Sequence, residues 1–122
     1  MKTREFNQIV SNRIKEIREV LSHKAKEYAR EDRLHNFKQA GKIANMTPEL
    51  ALKGFLMKHL VSIFDMIDEV DTVEHPRSQW NEKIGDSINY LILLEALIVD
   101  RHNETHRLTP VGALFAEEKN DA

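Results

Sequence analysis

Trp80-Asn81-Glu82-Lys83-Ile84-Gly85-Asp86-Ser87-Ile88-Asn89-Tyr90-Leu91-Ile92-Leu93-Leu94 is the stretch on which the fold turns. It reads as one helix, with Glu82, Asp86 and Asn89 on a shared face at helical spacing. Beyond Asn89 the helix is apolar almost all round, the pattern of a helix buried in a bundle. Carboxylates and an amide entering a buried region are costly unless paired, hydrogen-bonded or bound to a cation. That cost marks the stretch as a candidate site.

Working outward, the same helical period covers most of the chain. Phe6, Ile9, Val10, Ile14, Ile17, Leu21, Ala25 and Tyr28 form one apolar stripe, which predicts a helix over about residues 4–30. Leu34 to Ala44 reads as a loop and short helix, weakened by Gly41. Thr47-Pro48-Glu49 is a helix start, with threonine as cap and proline at the first helical position, and that helix should run to about Glu69. Ser78 is the expected cap of the next helix, which should end near Arg101. A polar loop through His102-Asn103-Glu104 and a second Thr-Pro start at Thr109-Pro110 follow, opening a short C-terminal helix. With four glycines, three prolines and almost no alternating pattern, the fold class is all-α. The expected architecture is an antiparallel bundle of about four main helices. Its 122 residues make a single domain, with a core over 4–101 and an extension over 102–122.

Composition narrows the function. A net charge of -2 without a basic block argues against binding nucleic acid through phosphate contacts. No cysteine is present, so disulfides, zinc-thiolate sites and cysteine nucleophiles are excluded. The longest apolar run, Leu91 to Leu94, is too short to span a membrane. The expectation is a soluble cytoplasmic protein. Helices apolar on most sides also predict a homo-oligomer, with a dimer as the default.

The helix over 48–69 carries its own polar stripe, Lys58, Ser62, Asp65 and Glu69, at i, i+4, i+7 and i+11. In an antiparallel hairpin Glu69 should lie level with Glu82, Asp65 with Asp86 and Ser62 with Asn89. Four converging carboxylates repel one another unless protonated or bridged by a cation. Hard oxygen ligands point to Mg²⁺ or Mn²⁺. The same carboxylates also read as ordinary solvated residues. His59 is either a ligand or base, or a packed histidine, and Tyr90 and Trp80 read as core or interface residues. His102 and His106 have metal-pair spacing but no third ligand nearby. A second cluster, Lys24, Tyr28, Asp32, Arg33, His35, Asn36 and Lys38, mixes phosphate-binding cations with groups that hydrogen-bond a base, or is a solvated helix end.

Three blocks carry a resemblance: Glu27-Tyr28 with Asp32-Arg33-Leu34-His35-Asn36-Phe37-Lys38, then Lys58-His59-Leu60-Val61-Ser62-Ile63-Phe64-Asp65, then Trp80 to Tyr90 around Gly85-Asp86. Together they resemble small phage and prophage proteins of the "nucleotide modification associated" type, over roughly residues 20–100. More distantly the chain resembles the MazG-like and dimeric-dUTPase all-α nucleoside triphosphate pyrophosphohydrolases. Those enzymes bind Mg²⁺ and cleave a (d)NTP to the monophosphate and pyrophosphate. The resemblance implies a pyrophosphohydrolase acting on a standard or modified dNTP. It implies Asp65, Glu82, Asp86 and Glu69 at the metal, with Glu82 and Asp86 catalytic. Arg33, Lys58 and Lys83 would then neutralise phosphate, and His35, Asn36, His59 and Asn89 would bind the nucleotide. Two departures stand beside it. Lys83 occupies the place of an acid in the enzymes' common Glu-Glu-Leu-Gly-Asp, and the first helix has no Glu-x-x-Glu. A non-catalytic nucleotide or signal-molecule binder and a helical oligomerising interaction protein are the other readings.

Overall fold

The computed structural model describes residues 1–28, as backbone alone from 23 to 28, and residues 32–105. Among these residues there are four helices and no strand: α1 (Thr3–Tyr28), α2 (His35–Ala44), α3 (Pro48–Asp68) and α4 (Arg77–Thr105). The Thr109-Pro110 start, His106 and the rest of the C-terminal extension lie outside the described residues, as do Arg30 and Glu31.

The helix starts and stops follow local chemistry. Thr47 Oγ1 accepts the Leu50 N–H at 3.1 Å and Pro48 opens α3. α2 ends at Asn45, which takes the left-handed conformation (φ 55°, ψ 50°). Asparagine enters that region at lower cost than other side chains. Its neighbour Met46 donates back to the Gly41 carbonyl at 2.8 Å and closes the turn into α3. α2 is therefore one continuous ten-residue helix rather than a loop with a short helix. Gly41 is compatible with it because it sits at the tight α2–α3 corner. A Cβ there would meet the Met46 carbonyl oxygen at 2.7 Å and the Pro48 nitrogen at 3.1 Å.

α4 begins at Arg77, two residues before the Gln79 start that a Ser78 cap implies, and is helical through Thr105, the last described residue here, four beyond the expected end at Arg101. Gln79 and Trp80 donate to the Pro76 carbonyl, so Ser78 lies in the first turn and does not cap it. At the other end His102, Asn103 and Glu104 remain helical. Arg101 lies within this last stretch and anchors it to α3, donating to Glu49 through Nε at 2.8 Å and Nη2 at 2.6 Å. A guanidinium fork on a carboxylate is a strong, directional pair. It holds the Glu49 carboxyl below its ordinary value.

α3 packs antiparallel on α4 and also on α2, while α1 rests along α4. The core is small. Leu34, Leu52 and Leu97 are its buried centre, with Phe37, Leu56, Tyr90, Leu93 and Leu94 packed around them. The α3–α4 loop is closed by Glu69, whose Oε1 lies 3.0 Å from His75 Nε2, and the His75 ring sits edge-on to Trp80. α1 docks through Arg13, which donates to Asn81 Oδ1 at 2.6 Å. Its guanidinium lies over Gly85, where a Cβ would meet Nη1 at 2.7 Å.

The expectation of a buried α4 is corrected. Only Ser87 and Leu97 of this helix are fully buried, whereas Leu91 is 52% exposed and Ile92 and Ile98 are also open. One chain supplies too few neighbours to cover a 29-residue helix on all sides.

The two close glycines should respond in opposite ways. Gly41→Ala pushes a methyl into fixed backbone and should cost about 1–3 kcal/mol, a cost typical of overpacking. Gly85→Ala meets only the end of a flexible arginine and gains helix propensity of up to about 1 kcal/mol. Thermal unfolding followed by circular dichroism should show Tm falling by several degrees for the first and holding or rising for the second.

Candidate functional site

A cavity of about 300 Å³ lies where α1, the α1–α2 connection, α2, α3 and α4 meet. Val20 and Leu21 of α1 form one wall, and Asp32, Arg33, His35, Asn36 and Phe37 form another. α3 contributes His59, and α4 contributes Asp86, Asn89, Tyr90 and Leu93 at i, i+3, i+4 and i+7.

The walls are tied to one another. Asp32 Oδ1 accepts the Leu34 N–H at 2.9 Å, and its Oδ2 takes Lys38 Nζ at 2.8 Å. Lys38 Nζ also reaches Asp100 Oδ2 on α4 at 2.9 Å. The lysine hydrogen bond, then the backbone one, hold the Asp32 carboxyl below its ordinary range. The two carboxylates in turn hold Lys38 protonated well above its usual pKa. Arg33 Nη2 donates to the Leu21 carbonyl at 3.1 Å, fixing the connection to α1 and leaving most of its five donors uncommitted by that bond.

The floor is aromatic and polar at once. Tyr90 stacks on Phe55 with ring centroids 6.3 Å apart and meets Phe37 edge-on. The His59 ring lies 5.1 Å from Tyr90. Burial, and secondarily the charge of Asp86, raise the pKa of the Tyr90 hydroxyl. His59 Nδ1 is 3.7 Å from Asp86 Oδ2, an ion-pair separation too long for a hydrogen bond. His59 Nδ1 and Asn89 Oδ1 are both buried without a hydrogen-bond partner. Leaving such an atom unsatisfied costs about 1–3 kcal/mol. A third such atom, Asn103 Oδ1, lies away from this cavity.

Seven residues singled out from sequence thus line one cavity: Asp32, Arg33, His35, Asn36, His59, Asp86 and Asn89. The others are placed elsewhere. Lys58, Asp65 and Glu82 are exposed, Lys83 is half-buried outside the cavity, and Glu69 is engaged with His75 in the loop. On α3 the side chain beside Asp86 is His59. Among the described residues no three histidine, aspartate or glutamate side chains gather closely enough to hold an ion. Of the four carboxylates expected at a metal, Asp86 alone lines the cavity. His102 is exposed, and its sequence partner His106 lies outside the described residues, as do the side chains of Lys24 and Tyr28.

Sequence reasoning set Tyr90 aside as core or interface and passed over Val20, Phe37 and Leu93 as lining residues. For Tyr90 and Leu93 the signal was present, since they complete the face begun by Asp86 and Asn89. Val20 and Phe37 carry no local mark of a cavity. The chain matches no protein-family model, and no curated protein or solved structure matches it.

The cavity thus offers two aromatic rings set edge to face, Phe37 and Tyr90, hydrogen-bonding side chains and the exposed guanidinium-bearing Arg33. Asn89→Leu removes the orphaned amide oxygen while keeping the volume. It should raise Tm by a few degrees in thermal unfolding, corresponding to about 1 kcal/mol; a fall in Tm would show that Asn89 is already satisfied within the fold.

Proposed function

We propose that this cavity is a nucleotide-binding site and that the chain binds a standard or modified deoxynucleoside triphosphate. The observation that carries the reading is the pair of orphaned polar atoms, His59 Nδ1 and Asn89 Oδ1, buried at the edge of the Tyr90 floor. A nucleobase offers ring stacking and in-plane hydrogen-bonding groups together, which is what that floor and edge would recognise. Arg33 at the mouth is suited to a phosphate. The cavity volume of about 300 Å³ is at the small end for a ligand pocket. It suits the base and sugar, with the phosphates extending towards Arg33. Binding is favoured over hydrolysis because the carboxylates needed for a metal are dispersed in the single chain.

The second reading is the pyrophosphohydrolase implied by the resemblance. Asp86 on the cavity wall, with Glu82 one turn earlier on α4, favours it. On that reading Asp86 and Glu82 would hold Mg²⁺ or Mn²⁺ and act on the phosphates. Under either reading we take the chain to be a homo-oligomer acting on a small molecule in the cytoplasm, with no nucleic-acid partner. Among the described residues no helix is long and apolar enough to cross a membrane.

Titration calorimetry of the purified chain against a panel of standard and modified dNTPs tests the first reading. One member should bind, His59→Ala and Asn89→Ala should each weaken it about tenfold or more, and Glu82→Gln should not. No binding by any member would remove the proposal. Pyrophosphate release with Mg²⁺ or Mn²⁺, abolished by Asp86→Asn, would establish the second reading in place of simple binding.

A further inference from the structure

α3 is apolar on two nearly opposite faces. Leu52, Leu56, His59, Ile63 and Met66 look inward, with Leu52 and Met66 fully buried. Leu50, Gly54, Met57, Val61 and Phe64 run along the outside at alternating spacings of four and three, the repeat of a helix–helix seam. Leu50, Met57, Val61 and Phe64 are between 48% and 56% exposed. Gly54 lies within this row, and a Cβ built there would have nothing within 4 Å. A glycine in an exposed seam lets a second backbone approach closely.

The charges beside the row are segregated by sign. Lys53 and Lys58 flank its N-terminal half, and Asp65 and Asp68 its C-terminal half, all four exposed. We propose that this face is the interface of a two-fold dimer, in which α3 packs antiparallel on α3 of a second copy of the chain. Only that orientation sets the lysine half of one helix against the aspartate half of the other; a parallel pair would place like charges together. Like-charge juxtaposition is costly enough to select orientation. The 21 residues of α3 supply a seam about 30 Å long. α4 also has an outer apolar row, Ile84, Leu91 and Ile98, but Glu95 interrupts it. α1 also exposes an apolar row, Phe6, Ile9, Val10 and Ile14, but the charges beside it are of mixed sign along its length and select no orientation. The proposed seam lies on the far side of α3 from the cavity, so it is independent of the nucleotide reading.

Sedimentation equilibrium on the full chain without nucleotide tests the proposal. The wild type should be a dimer. Val61→Glu should raise the dissociation constant at least about 100-fold, and Gly54→Trp, which meets nothing within its own protomer, should do the same. Helical circular dichroism should be unchanged in both. Lys53→Asp with Lys58→Asp should weaken the dimer about tenfold or more, and adding Asp65→Lys and Asp68→Lys should restore it. A monomeric wild type, a dimer indifferent to Val61→Glu and Gly54→Trp, or a fourfold charge swap no stronger than the double swap would each overturn it.

Discussion

The register of α3 against α4 is the constraint on which the rest of the structure depends. Leu52 and Leu97 bury their side chains in the core these helices share, and Arg101 on Glu49 fixes one end of the pair. The Glu69–His75–Trp80 contact fixes the other. With both ends held, Asp86 has to face His59, and Asn89 and Tyr90 follow it along the same wall. The chemistry of the cavity is thus a consequence of where a hairpin was locked, not of a dedicated loop. α2 and the α1–α2 connection then close the cavity, held to α4 by the Asp32–Lys38–Asp100 chain.

The fold was readable because its evidence is local and periodic. Thr47-Pro48 announces the start of α3, and the apolar stripe of α1 marks a helix that is described from Thr3 to Tyr28. The C-terminal stretch of α4 was not readable, because its anchor is a partner distant in sequence. His102 and its neighbours are polar enough for a loop, and nothing local reveals that Arg101 is tied to Glu49 across 52 positions. Gly41 misled for a related reason: its helix penalty is visible in sequence, but the tight corner that requires it is not.

The candidate site was legible as a set of residue types and not as a geometry. Asp86 and Asn89 were marked by polarity on an apolar helix, and Arg33, His35 and Asn36 by a mixed basic and amide cluster. Their convergence required knowing that α2 folds back onto α3 and α4. The neighbour of Asp86 was hidden for the same reason: helical spacing marks Asp86 on its face, but only the packing of α3 on α4 shows that His59 lies beside it. A core built on so few buried side chains leaves α3 and α4 with faces that a single chain does not cover.

The central claim is that a nucleotide is read between His59, Asn89 and Tyr90. Chemical-shift mapping of the isotope-labelled chain, with the bound dNTP added stepwise, tests it most directly. The account predicts that the His59 ring, the Asn89 side-chain amide and the amides of residues 33–37 and 86–93 shift together and saturate. The outer face of α3 should stay still. Shifts centred on Asp65 and Glu82 that leave His59 and Asn89 unmoved would contradict it.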